Sequence, residues 1–194
     1  MRNQVNADFG RYFVQPVQAR NALLEAQREQ PKNAFAANRY QQDLNYKPQN
    51  ELGFKIAETA QAIGIDPVDL ATAISYETGG TFDPKQPGPT TQWGQHRGLI
   101  QFGEPQAREY GVDWSDPVNS QLGSDGAVAK YLRSRGVRAG HGLLDVYSAI
   151  NAGQVGLYDR TDENNGGAPG TVREKVEQQM AGHRKNALRL LGLM

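Results

Sequence analysis

The sequence predicts a mainly α-helical, compact domain that is preceded by a polar N-terminal arm. Apolar residues recur at helical spacing from about residue 51 onward, first at Leu52, Ile56, Ala60 and Ile63. Helix stop and start signals follow one another closely at Gly64, Asp66 and Pro67. No stretch shows the alternation of apolar and polar residues that is typical of a half-buried strand.

The first two helices are predicted from their ends. Gly64 is placed to end a helix that begins near residue 51. Asp66 then has the position of an N-cap, Pro67 that of the first helical residue, and Asp69 that of the acidic residue in a capping box. We expect this second helix to run to about Thr78.

The rest of the chain alternates between loops and helices. Residues 79–103 are rich in Gly, Pro, Thr and Gln, which predicts a long loop, and a loop of that length is usually functional. Helices are predicted at 104–111, at 117–136, where Gly123 and Gly126 interrupt or loosen the helix, and at 142–153, where Gly153 ends the helix. A polar loop at 159–170 precedes an amphipathic closing helix, whose expected core residues are Val172, Val176, Ala187, Leu190 and Leu191.

Composition limits the function. The 21 basic and 21 acidic residues cancel, so we expect no nucleic-acid partner. There are no cysteines, and the three histidines lack metal-ligand spacing, so we expect no metal. The N-terminus lacks the apolar core of a signal peptide and no run is long enough to span a membrane, so we expect a soluble protein that does not use the common secretory route.

Residues 1–50 differ from the remainder. Of these 50 residues, 15 are Asn or Gln, and apolar residues are sparse. Such a segment buries too little apolar surface to fold alone. It is therefore either an arm that docks on another protein or a disordered leader, and residues 51–194 form the domain.

Glu77 is the first candidate for chemistry. It shares one face of the second helix with Leu70, Ala73 and Ile74, and it lies at the negative end of the helix dipole. Burial and the dipole both raise the pKa of a carboxyl group, and a carboxylic acid that keeps its proton can act as a general acid. Gly79 and Gly80 end the helix and leave room for a ligand. The alternative is a glutamate paired with an arginine or solvated at the rim of the helix face.

Two later segments carry a side-chain amide beside a turn or at a helix end. In "RGLIQF", residues 97–102, Gly98 permits a turn and Gln101 offers a donor and an acceptor. In "INAG", residues 150–153, Asn151 lies in the last turn of a helix with Tyr147 one turn before it. Taken separately, Gln101 is as expected for a solvated loop residue and Asn151 for a helix-ending residue.

In this order the segments "YETGGTFDP", "RGLIQF" and "SAINAG" resemble the transglycosylase SLT family. These goose-type-lysozyme-like lytic transglycosylases cleave peptidoglycan between N-acetylmuramic acid and N-acetylglucosamine. The resemblance covers roughly residues 50–190, and its glycine-rich "ETGGTFDP" version looks most like the lytic domains carried in phage particles. It implies an α+β lysozyme-like fold, with residues 51–194 as the lytic transglycosylase domain.

The resemblance also implies residue roles. Glu77 would be the catalytic acid and then the base, and no cofactor is needed. Gln101 and Asn151 would bind sugar amides or hydroxyls. Tyr147 and Phe102 would pack against sugar faces or belong to the core. His96 would border the cleft or be solvated. The expected site therefore consists of Glu77, His96, Gln101, Phe102, Tyr147 and Asn151.

The chain also departs from the family pattern. Ile150 stands where the family often has Tyr, and "GPTTQWGQHRG" brings Trp93, His96 and Arg97 near the cleft in a way that the pattern does not explain. No second carboxylate is identified by a motif. Asp83 and Glu104 are the nearest in sequence, and either of them beside Glu77 would favour hydrolysis over anhydro-sugar formation.

A wall substrate without an export signal suggests delivery by a virion. The enzyme would act in the host periplasm or cell wall, tethered through its N-terminal arm to a phage tail or internal virion protein in several symmetric copies. Two alternatives are an endolysin released late in infection and a non-catalytic tail or adaptor protein with a lysozyme-like fold.

Overall fold

The computed structural model describes Pro48 and residues 50–194. Residues 1–47 and Gln49 lie outside this part of the chain, so the docking-arm prediction for residues 1–50 is not addressed by it. The described residues form eight α-helices and one two-stranded sheet, which confirms the mainly α fold class.

The first two helices have the predicted ends. Helix α1 spans Glu51–Ile63 and is capped by the Asn50 side chain, which accepts from Gly53 N. Helix α2 spans Pro67–Glu77, and Asp66 accepts from Val68 N as its N-cap. The capping-box role expected of Asp69 is wrong, because its carboxylate accepts from the Arg184 guanidinium at 2.9 Å.

Helix α2 lies at the centre of the domain. The residues predicted on its buried face, Leu70, Ala73 and Ile74, have no exposed surface. The opposite face is buried too, including Thr72 and Ser75, since the helix packs against α1, α6 and α8. A helix enclosed on all sides is a rigid support for a side chain at its end.

The long loop expected over 79–103 contains a β-hairpin, so that prediction is wrong in part. Strand β1 spans Pro87–Thr91 and pairs antiparallel with β2, Gly94–Arg97. An irregularity in the register falls between Pro87 and Thr90. Both strands are partly exposed and neither buries one clean face, so no alternating pattern marked them in the sequence.

The middle of the chain has its helix break where the glycines predicted an interruption or a loosening. Helix α3 spans Glu104–Tyr110 as expected. The helix expected over 117–136 is two helices, α4 (Pro117–Gln121) and α5 (Ala127–Ser134), because the chain between them passes through Gly123 at φ 99°. Helix α6 spans Leu143–Asn151.

The closing helix is also interrupted. Helix α7, Val172–Glu174, continues into a π-helical turn at Lys175–Gln179, and α8 spans Ala181–Leu190. Val172, Ala187 and Leu191 are fully buried as predicted, whereas Val176 and Leu190 are only partly buried. The π turn instead coincides with full burial of Lys175.

No helix in the described part of the chain is long and apolar enough to cross a membrane.

Candidate active site

A single cleft of about 660 Å³ borders every site residue predicted from the sequence. Its walls come from the end of α2, the β-hairpin, the segment after β2, the end of α6 and the polar loop at 162–168. The predicted residues on its lining are Glu77, His96, Gln101, Phe102, Tyr147 and Asn151. Positions up to 74 residues apart in the sequence therefore meet around one cavity, because residue 77 and residue 151 both line it.

Glu77 is the last residue of α2 and is half-buried in this cleft. Burial raises the pKa of its carboxyl group from the ordinary 4.5 to about 7, and the negative charge of Asp162 adds to the rise. The Lys175 charge and a hydrogen bond from Tyr147 act in the opposite direction on this pKa. Near neutral pH the carboxyl group is consequently present in both protonation states.

No ion pair joins Glu77 to an arginine among residues 50–194, so the structure offers no support for the arginine-paired alternative. The charges that act on Glu77 are those of Asp162 and Lys175.

A hydrogen-bonded chain leads from Glu77 into the protein. The Tyr147 hydroxyl bonds to the Glu77 carboxyl group. Asn151 Nδ2 donates to Tyr147 Oη at 3.3 Å and to Asp162 Oδ2 at 2.5 Å. Lys175 Nζ donates to the other oxygen, Asp162 Oδ1. Asp162 therefore has both oxygens engaged, and it orients the Asn151 amide.

The Asp162–Lys175 pair is the part of the site that sequence reasoning missed. Only 1% of the Lys175 side chain is exposed, against 28% for Asp162, so the lysine charge is enclosed while its partner reaches the cleft. A signal was present for Lys175, because it lies three residues after Val172 on the apolar stripe of the closing helix. A buried charge requires a partner, but the sequence did not identify which carboxylate supplies it.

The two carboxylates proposed from the sequence are absent from the cleft lining. Asp83 Oδ1 accepts from Lys85 N at 2.8 Å and so stabilises a turn. Glu104 begins α3 with an exposed side chain that lies 4.0 Å from Arg108. The second carboxylate of the cleft is Asp162 instead.

Gln101 is held in an unusual conformation. Its φ of 55° lies in the left-handed region, which costs a residue with a side chain on the order of 1 kcal/mol. Its Nε2 donates to Gln86 O at 3.2 Å and to Gly98 O at 3.0 Å, so the amide orientation is determined. A Cβ at residue 88 would lie 1.7 Å from Gln101 Oε1, so only glycine leaves space for that oxygen.

Two amide oxygens in the site have no hydrogen-bond partner within the described residues, Gln101 Oε1 and Asn151 Oδ1. Both belong to residues that line the cleft, and both amide nitrogens are already engaged. Buried acceptors without partners are costly unless a ligand or water donates to them. Both oxygens are themselves covered by protein, so a ligand donor reaches either of them only after a small shift of its amide.

His96 has a structural role in the cleft wall. Its Nδ1 lies 2.8 Å from Gln101 O and its Nε2 lies 3.0 Å from Thr91 Oγ1. A neutral ring that donates from Nδ1 to the carbonyl and accepts from the threonine satisfies both contacts. His96 thus joins the hairpin to the Gln101 segment.

The aromatic residues contribute edges and hydroxyls more than open faces. Phe102 and Tyr147 are each 1% exposed. The Phe102 ring packs against Tyr110 and Tyr131, and the Tyr147 ring meets Tyr76 edge-on at 5.4 Å. Of the two roles left open for Phe102 and Tyr147, the core role describes their rings better.

Two further expectations are not met. Gly79 and Gly80 have positive φ values of 60° and 88° that end the helix, but they do not line the cleft. Arg97 is turned away from the cleft and stacks over the Trp114 ring at 4.4 Å.

No group of three or more His, Asp or Glu side chains in the described part of the chain is arranged to hold a metal ion. Comparisons with protein-family models, with characterised proteins and with solved structures find no match for this chain. The geometry of the cleft and the resemblance of its three segments are therefore the observations that bear on function.

Proposed function

We propose that this protein is a peptidoglycan lytic transglycosylase with an α+β lysozyme-like fold, which cuts the β-1,4 bond between N-acetylmuramic acid and N-acetylglucosamine. The observation that carries the proposal is the position of Glu77, a carboxyl group with a pKa of about 7 in a cleft of about 660 Å³. A pKa near the working pH suits a group that must give up a proton and then take one back.

The reaction follows from one residue in two roles. Glu77 gives its proton to the glycosidic oxygen as the bond from that oxygen to C1 breaks. The 6-hydroxyl oxygen of the same muramic acid then bonds to C1 and its proton passes to Glu77, so the product is a 1,6-anhydro sugar and no water is consumed. The Tyr147 hydroxyl stabilises the carboxylate between these steps, because a hydrogen bond to the charged form favours it.

Asp162 supports the acid without replacing it. Both of its oxygens are occupied by Lys175 and Asn151, so it is poorly placed to attack C1. Its negative charge raises the pKa of Glu77 and would also favour positive charge that develops on the sugar ring.

Gln101 and Asn151 supply the acceptors for the substrate. The hydrogen bonds of the two amide nitrogens keep the amides beside the cleft, and a small shift of either amide brings its covered oxygen to the N–H of an acetamido group or to a sugar hydroxyl. Positioning of this kind holds the reacting ring near the acid.

Hydrolysis by a lysozyme route is the second candidate, and the observation that favours it is Asp162 on the cleft lining. Glycosidases that hydrolyse commonly use two carboxylates across the bond. Mass spectrometry of digested muropeptides separates the two, since anhydro ends and reducing ends differ by one water.

The first experiment compares wild type with Glu77→Gln on purified sacculi. The substitution keeps the shape of the side chain and removes the titrating proton, so we expect lysis to be abolished while the circular dichroism spectrum is unchanged. Equal clearing by the variant would refute Glu77 as the acid, and no clearing by folded wild type would favour a non-catalytic structural protein.

We also propose delivery in a phage particle, with action at the host wall. Mass spectrometry of purified particles would detect the protein if it is carried in the virion. Its absence from particles, together with release late in infection, would favour an endolysin.

A further inference from the structure

Trp93 is an exposed aromatic residue without a structural explanation in the domain. Its exposed fraction is 56%, and of the exposed large apolar residues within 50–194 it is the one on the cleft lining. Phe54 is exposed to 60% but lies on α1 away from the cleft. Exposed apolar surface beside a cavity commonly marks a binding site.

The backbone at Trp93 is fixed although its side chain is free. Trp93 N donates to Thr91 Oγ1 at 3.1 Å, and Trp93 O accepts from Glu104 N at 3.0 Å. The hairpin turn is thereby tied to the start of α3.

Glycines at positions 94 and 103 leave space for this attachment. A Cβ at residue 103 would lie 3.1 Å from Trp93 Cβ, which is tighter than ordinary packing. A Cβ at residue 94 would lie 2.5 Å from the Glu104 carboxyl group, and Gly94 also has φ 79°. Because the backbone is fixed, only the two side-chain torsions of Trp93 have to be ordered when a ligand covers the indole.

Trp93 belongs to a different part of the cleft from the acid. Its backbone contacts are with Thr91 and Glu104, whereas Glu77 interacts with Tyr147, Asp162 and Lys175. In the middle of β1, Pro89 approaches the polar loop at Gly166, where an added Cβ would lie 3.3 Å from Pro89 Cβ. The indole at the hairpin turn therefore offers a ligand contact that is separate from the groups around the Glu77 carboxyl.

We propose that Trp93 forms a second sugar-binding position in the cleft, which holds an N-acetylated sugar of the same glycan strand by stacking of the indole against the ring's C–H face. This inference rests on the proposed function, because it takes the glycan strand as the ligand. An indole combines a large apolar face with an N–H donor, which suits a ring that has an apolar face and a polar edge. The enzyme would consequently prefer longer glycan segments.

The test measures binding without turnover. Glu77→Gln protein is titrated with chitooligosaccharides of two to six sugars, and affinity is followed by calorimetry and by tryptophan fluorescence. Trp93 and Trp114 are the two tryptophans, and Trp114 is covered by Arg97, so a fluorescence change on binding is expected from Trp93.

In the Glu77→Gln background, Trp93→Ala should weaken binding of the longest oligosaccharide about tenfold and leave the disaccharide nearly unchanged. Trp93→Tyr should retain part of the affinity. Phe54→Ala removes an equally exposed aromatic residue outside the cleft and should change neither affinity.

The outcomes separate the two proposals. If Glu77→Gln protein binds the long oligosaccharide and Trp93→Ala binds it equally well, the second position is refuted and the proposed function stands. If Glu77→Gln protein with Trp93 intact binds no oligosaccharide, the proposed function is refuted and the inference fails with it.

Discussion

The raised pKa of Glu77 predicts that the free energy of unfolding changes with pH through the titration of this one carboxyl group. Its pKa is about 7 in the folded protein against an ordinary 4.5. Each tenfold change in proton affinity corresponds to about 1.36 kcal/mol, so ionised Glu77 costs the folded state about 3 kcal/mol.

The direction follows from which state binds the proton. As pH rises from 4.5 to about 7, the unfolded chain loses the Glu77 proton first and the folded protein still holds it. The free energy of unfolding therefore falls across this window, and above it the full cost of ionised Glu77 remains without further change with pH. Glu77→Gln removes the cost of ionisation.

The assay is urea unfolding of wild type and Glu77→Gln at pH values from about 4 to about 8. The variant should match wild type at the acid end and exceed it by up to about 3 kcal/mol at the alkaline end. Subtracting the two free energies at each pH cancels the contribution of all other titrating groups.

Glu174 provides a control of opposite sign. Hydrogen bonds from the Thr171 backbone and side chain lower the pKa of Glu174. Glu174→Gln should therefore be less stable than wild type near neutral pH and approach it as pH falls. A difference between Glu77→Gln and wild type that stays constant from acid to alkali would refute the reasoning about Glu77.

Three other substitutions test the surroundings of the acid. Tyr147→Phe removes a hydrogen bond that lowers the pKa of Glu77, so the alkaline limb of the pH–lysis profile should move to higher pH by less than about one unit. An unchanged limb would count against the hydrogen bond between Tyr147 and Glu77. Lys175→Met leaves Asp162 without its buried partner and should lower the free energy of unfolding in urea by about 3–5 kcal/mol. Adding Asp162→Asn to this variant should restore part of the loss. Full stability of the Lys175→Met variant would contradict a role of the ion pair in stability. Gly88→Ala should displace the Gln101 amide and weaken chitooligosaccharide binding severalfold, with little change in melting temperature. Unchanged affinity would exclude the Gln101 amide from binding.

The sequence predictions were correct where a structural feature depends on neighbouring residues, and they failed where it depends on residues distant in the sequence. The caps at Asp66 and Gly64 and the end of α2 at Glu77 were correct because a cap acts on backbone groups within a few residues. The β-hairpin was missed because its partly exposed strands carry no periodic pattern. The π turn was missed because such turns are rare single-turn irregularities within a helix, and the sequence pattern of the closing segment is that of an ordinary amphipathic helix.

The sequence by itself determined the mainly helical fold class and the position of Glu77 at a helix end, and with the family resemblance it identified six of the residues that border the cleft. Only the tertiary structure decided that Asp162, not Asp83 or Glu104, is the second carboxylate there, that Lys175 pairs with it, and that Arg97 lies outside the cleft lining. The reason is the dependence of pairing and burial on groups distant in sequence, whereas helix ends depend on their own neighbours.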